Sequence, residues 1–157
     1  MKKFLFLFLI LFAHFSLAQT DKINPKTPPT KDIFFKKENT PNAAPTQKIK
    51  QIHSDSINRK PDLYGGNMFF DGNVEFQHNG AVLTANRVVF YQKENFVKAI
   101  GNVVLVTSDG NRITAEEMEY DGETQRGIAR KNVVLTDPKQ TISTDVLYYD
   151  RVKNTAY

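Results

Sequence analysis

An Asn-Val step recurs along this chain from residue 72 onward, as Gly72-Asn73-Val74, Gly101-Asn102-Val103 and Lys131-Asn132-Val133, at spacings of 29 and 30 residues. A fixed period of about 30 residues makes one supersecondary unit stacked on its neighbours the governing expectation. Each triplet is expected to open an apolar strand carrying Val74 and Phe76, Val103 and Leu105, or Val133 and Leu135. Turn residues follow in every copy, at Asn79-Gly80, Asp109-Gly110 and Asp137-Pro138. A second strand then brings Leu83, Ile113 and Ile142 into equivalent places. It runs on through Val88, Met118 and Leu147 to Phe90, Tyr120 and Tyr149, and a polar turn returns the chain.

The alternation within the second strand carries geometry. Leu83 and Ala85 are two apart, and so are Val88 and Phe90, but Ala85 and Val88 are three apart. The same slip occurs in the other two copies. A period-2 strand that changes phase once has a bulge or corner there, so each long strand is expected to bend between two packed layers. Short hairpin turns make the pairing antiparallel. A weaker copy precedes the first, with Ser54-Asp55 lying 31 residues before Ala85-Asn86, which starts the folded region near Lys48.

The N-terminal third reads differently. Lys2-Lys3, an apolar run from Phe4 to Phe15, and small residues at Ser16 and Ala18 form a secretory signal peptide with its cut after Ala18. Its run is short of the roughly 20 residues a spanning helix needs. Cleavage leaves 139 residues, expected in an extracytoplasmic compartment. Residues 19–47 hold five prolines among Thr, Asn and Lys, and read as a disordered linker before a domain at 48–157. Within the linker Ile33-Phe34-Phe35 reads as a stray apolar trio, with a short docking patch as the alternative. The net charge of +4 belongs to leader and linker, because residues 48–157 hold fourteen basic and fourteen acidic side chains. The body therefore has no electrostatic footprint for nucleic acid.

Units of about 30 residues with a Gly-Asn-Val step, an Asx-Gly turn and a Thr/Ala-Asp-x-apolar-x-Tyr strand resemble the OstA-like (LptA-type) family. The resemblance runs from Lys48 to Tyr157 and is carried best by 72–90, 101–121 and 132–150. One departure is Ala85-Asn86, where the family often has an acidic residue after the small one, as in Thr144-Asp145. The resemblance implies an all-β fold, a twisted β-jellyroll of stacked antiparallel strands around an apolar groove. It further implies a periplasmic module that carries the lipid A acyl chains of lipopolysaccharide toward the outer membrane, and joins other OstA-like domains head to tail. The alternative is a structural or adhesin-like β-solenoid with no lipid ligand.

The residues themselves supply an inward-facing set. Val74, Phe76, Leu83, Val88, Phe90, Val103, Leu105, Ile113, Met118, Tyr120, Val133, Leu135, Ile142, Leu147 and Tyr149 are expected to line the interior, as packed core or as lipid groove. Burying methylenes at about 0.8 kcal/mol each makes a chain of about 12 carbons worth roughly 9 kcal/mol before association costs. No catalytic residue, metal or cofactor is expected. The chain has no Cys and only three His, at 14, 53 and 78. Glu116 and Glu117 are strand neighbours that point to opposite faces, and Asp62, Asp71 and Asp109 fall in or beside turns. His78, beside Asn79-Gly80, reads as a solvated turn residue. The third unit ends at Tyr157, short of the next expected Asn near position 161, so Thr155-Ala156-Tyr157 is expected to be an edge that further units or another chain complete by strand addition.

Overall fold

The computed structural model describes residues 35–36 and 47–157; the signal peptide, its cut and most of the linker lie outside the described residues. A single antiparallel sheet accounts for the fold. Its strands are β1 (Lys50–His53), β2 (Ser56–Arg59), β3 (Met68–His78), β4 (Ala81–Tyr91), β5 (Phe96–Val106), β6 (Arg112–Asp121), β7 (Arg126–Thr136), β8 (Thr141–Asp150) and β9 (Thr155–Ala156). From β3 to β9 each strand pairs with the next in sequence, while β1 and β2 share β3 as their partner. Every pairing is antiparallel, which excludes the parallel coils of a solenoid. The sheet is open rather than closed into a barrel.

The Gly-Asn steps do not open strands, contrary to the expectation from sequence. Strands β3, β5 and β7 begin earlier, and each step falls in mid-strand where the register shifts, between Asp71 and Val74, Ile100 and Val103, and Arg130 and Val133. Against β4, the three-residue advance from Asp71 to Val74 is matched by only two residues, Ala85 to Arg87. The extra residue thus belongs to the odd-numbered strand. Asn73, Asn102 and Asn132 have φ of 46, 47 and 51°, preceded by Gly72 at 75°, Gly101 at 77° and Lys131 at 66°. Two successive residues in the left-handed region turn the strand, and Gly and Asn tolerate that region best. Lys131 does so without that tolerance.

At this corner the sheet folds on itself, and the inner faces of its two halves meet. Phe70, ahead of the corner, packs edge-on at 5.2 Å against Phe76 beyond it, and Phe76 meets Phe90 at 5.4 Å. The corner is laced by one repeated contact. Asn73 Nδ2 donates to Asp55 Oδ2 at 3.0 Å, Asn102 Nδ2 to Asn86 Oδ1 at 3.4 Å, and Asn132 Nδ2 to Glu116 Oε1. Asp55 between β1 and β2 therefore occupies the place of Asn86 and Glu116, so the weaker fourth copy exists as a broken strand. Asn79-Gly80 forms the expected two-residue hairpin, both residues at positive φ.

A second apolar layer lies on the outer side of the half that precedes the corner in odd strands. Phe69, Val89, Tyr91, Phe96 and Ile128 are buried there beneath Phe35, with Leu63, Tyr64 and Tyr148 at the margin. Phe35 is 2% exposed and meets Phe96 edge-on at 5.6 Å. The reading of this trio as stray is wrong for Phe35, which docks. The continuous run Val88-Val89-Phe90-Tyr91 is buried throughout because this half of the sheet is covered on both faces.

Candidate functional site: the jellyroll interior and its seam

Fourteen of the fifteen residues expected to face inward belong to one buried cluster, from Val74 on β3 to Tyr149 on β8. Ile142 is the exception, 37% exposed. It pairs with Leu135, but β9 reaches only Tyr149 and Asp150, so no described strand covers the outer side of β8 from Thr141 to Val146. The interior is therefore open at this end. A cleft of about 300 Å³ lies there, with Leu135, Ile142, Tyr149 and Ala156 as apolar lining and Asp109, Asn111, Lys139 and Gln140 among its polar lining. At the opposite end Ile49 fills the interior, leaving a void of about 10 Å³ beside Phe76, Leu83, Val97, Leu105 and Tyr120. As it stands, the interior is packed rather than hollow.

Because the sheet folds at mid-strand, its two rows of turns come to face each other along a seam opposite the corner. One lip carries Asn79-Gly80 and the 107–111 loop; the other carries the turns at 92–95, 122–125 and 151–154. Polar side chains lace the lips together. Gln47 carbonyl accepts from His78 Nε2 at 2.9 Å and from Asn95 Nδ2 at 3.2 Å, while Asn95 Oδ1 accepts the Ile49 amide at 2.8 Å. His78 Nδ1 lies 2.9 Å from Tyr120 Oη. A carbonyl only accepts, so Nε2 carries the proton and Nδ1 accepts from the phenol. Asn111 Nδ2 donates to Tyr149 Oη at 3.3 Å and Asn154 Oδ1 at 3.1 Å. Between these links Arg151 spans the seam. Its Nη1 donates to His78 O at 3.2 Å and Gln125 Oε1 at 3.1 Å, and its Nη2 to Ser108 Oγ at 3.3 Å and to the Asn79 carbonyl.

His78 is therefore not the solvated turn residue its neighbours suggested; it is 5% exposed. Burial, followed by the nearby Arg151 charge, pushes its pKa below the ordinary 6.5 against the pull of the Gln47 hydrogen bond. Burial likewise pushes the Tyr120 phenol up to about 12. The carboxylates considered for chemistry are engaged elsewhere: Glu116 with Asn132, Glu117 with Lys131, and Asp71, within β3 rather than in a turn, with Arg87. Among the described residues no three His, Cys, Asp or Glu side chains are grouped so as to hold a metal. What the arrangement offers is apolar surface behind a polar seam.

Fold and interior together define an antiparallel β-jellyroll with an apolar core, open at one end. The chain belongs to the OstA-like protein family, whose model matches residues 46–157. It is 32% identical over 82 residues to the LPS-assembly protein LptD of a Polaromonas species, a match covering 52% of this chain and 10% of that protein. The chain thus matches about a tenth of that relative's length. Its fold is that of the crystal structure of LptH from Pseudomonas aeruginosa, described as the LptA-homologous periplasmic component of the lipopolysaccharide transport device. That match has a TM-score of 0.62 at 17% identity and covers 72% of this chain and 85% of LptH.

Proposed function

We propose that this chain is a periplasmic lipopolysaccharide-carrying module that receives lipid A acyl chains in the jellyroll interior and passes them along a bridge toward the outer membrane. The observation that carries this reading is the apolar interior, continuous from Ile49 to the open cleft at Leu135 and Ile142. The family and the names of the relatives support it. Its role is to bind rather than to catalyse. Export through the signal peptide at residues 1–18 completes the reading.

The partner is a further OstA-like domain, joined head to tail. The outer edge of β8 exposes Ile142 and Val146, and the far edge, at β1 and β2, exposes Ile52 and Ile57. Asp145 occupies the corner place of Asp55, Asn86 and Glu116, each of which receives an Asn from the next strand. On this reading an Asn of the joining strand donates to Asp145, and the interior continues into the next module.

A photoreactive residue at position 142 tests the proposal. Irradiation with lipopolysaccharide is expected to cross-link at 142 and not at Thr136, which is exposed at the neighbouring strand end. Equal labelling at both positions, or none at 142, refutes it.

A further inference from the structure

We propose that Arg151 is the receptor for a phosphate head group, so that the incoming amphiphile itself unlatches the seam. The inference rests on the carrier reading and adds a head-group site to it. Arg151 differs from the other arginines that make side-chain contacts. Arg87 sits on Asp71, Arg126 on Asp150 and Arg130 on Glu119. Arg151 is half-buried and its hydrogen bonds run to neutral acceptors, two carbonyls, one amide oxygen and one hydroxyl, with the Tyr120 phenol also in reach. Among the described residues it makes no ion pair. A guanidinium satisfied in this way keeps its charge uncompensated, and phosphate oxygens match its planar fork with stronger, charge-assisted bonds.

Its position decides the class of ligand. Arg151 stands on the lip of the apolar interior, close enough for its charge to act on both His78 and Tyr120. The nearby carboxylates of the same lip have their own partners. Asp121 Oδ1 accepts the amides of Glu123 and Thr124, and Glu123 Oε1 accepts from Lys48 and Asn95. A phosphate set at the root of acyl chains reaches the guanidinium while its tails lie between the lips. In taking Nη2 from Asn79 and Ser108 it removes two of the bonds that hold one lip to the other. Head-group capture thereby loosens the seam at its charged link, and the neutral links that remain are the ones the acyl chains part. Free inorganic phosphate offers the same oxygens without tails.

The test uses the full chain, lipid A bearing both phosphates, the same lipid with its phosphates removed, and inorganic phosphate. Arg151→Gln keeps a polar side chain at the seam and removes the charge. It is expected to weaken binding of phosphorylated lipid about tenfold and to leave the dephosphorylated lipid bound as by wild type, or more tightly. Arg151→Lys is expected to restore most of the preference. Equal loss for both lipids, or loss for neither, overturns the assignment, as does displacement of lipid by low millimolar inorganic phosphate. If wild type binds neither lipid, the carrier reading fails and takes this assignment with it. If wild type binds both equally, only the Arg151 assignment fails.

Discussion

Phe35→Ala is the substitution that most sharply separates the folded arrangement from a reading of residues 19–47 as plain linker. A linker residue replaced by Ala changes stability by no more than about 0.5 kcal/mol. In the structure the Phe35 ring is 2% exposed, set against Phe96 and capping a cluster with Val89, Tyr91 and Ile128. A fully buried Phe truncated within a continuous core costs about 3–5 kcal/mol. Here the cost is smaller, because the segment can detach and recover about 1–2 kcal/mol of backbone entropy for each residue released. The balance is a loss of about 2 kcal/mol, which lowers Tm by roughly 4–8 °C per kcal/mol in a domain of this size. Urea denaturation of the full chain measures it, and a double-mutant cycle with Phe96→Leu isolates the ring contact. The edge-on geometry at 5.6 Å predicts a coupling of about 0.5–1.5 kcal/mol. A midpoint unchanged in Phe35→Ala, or strict additivity with Phe96→Leu, refutes the docking argument.

Met118→Asp, at a 2% exposed position between Ala99 and Ala129, places an unpaired carboxylate in the interior, and circular dichroism is expected to show an unfolded chain. Asn102→Val forces a β-branched residue to φ near 47° and is expected to cost about 1–3 kcal/mol by urea denaturation, whereas Asn102→Gly stays close to wild type. His78 has its folded pKa depressed, so its contribution is complete above about pH 6.5 and is lost as the pH falls through the lower folded value. The urea midpoint is therefore expected to drop as the pH falls below about 6.5, with a smaller drop in His78→Gln. Tyr120 has its folded pKa raised to about 12, so its contribution holds below pH 10 and is lost between pH 10 and 12. Tyr120→Phe should flatten that alkaline limb.

The periodic part of this fold was legible because identical places in successive units face the same neighbours. Val88, Met118 and Leu147 were readable as a ladder, and the three-residue step before each one gave away the corner. What misled was the chemistry of Asn at positive φ. It looks alike at a turn, at a strand opening and at a bulge, and only the ladder partners show that Gly101-Asn102 lies mid-strand. The outer layer left a fainter trace in Val88-Val89-Phe90-Tyr91 and Phe69-Phe70, consecutive apolar residues where a one-faced strand alternates. His78 and Arg151 left none. Arg151 meets His78 and Asn79 across 72 or 73 residues, between turns of different units, and a contact that does not repeat has no period to read.

The two lines along which the halves of the sheet meet are unequal in strength. The corner is continuous backbone in every strand from β3 to β8, so opening there would disrupt each ladder at its register shift. The seam bonds named above each involve a side chain: His78 and Asn95 on the Gln47 carbonyl, His78 with Tyr120, Arg151 with its acceptors, Asn111 with Asn154. Each such hydrogen bond contributes a net of about 0.5–1.5 kcal/mol, those from the guanidinium somewhat more. Released groups at the seam regain water, so parting the lips costs several kcal/mol and not the folding energy of the domain. A dozen methylenes transferred from water at about 0.8 kcal/mol each are of the same order as that sum. On the carrier reading, an acyl chain enters by the seam, the corner acts as the hinge, and the packed interior is the closed state of the same groove.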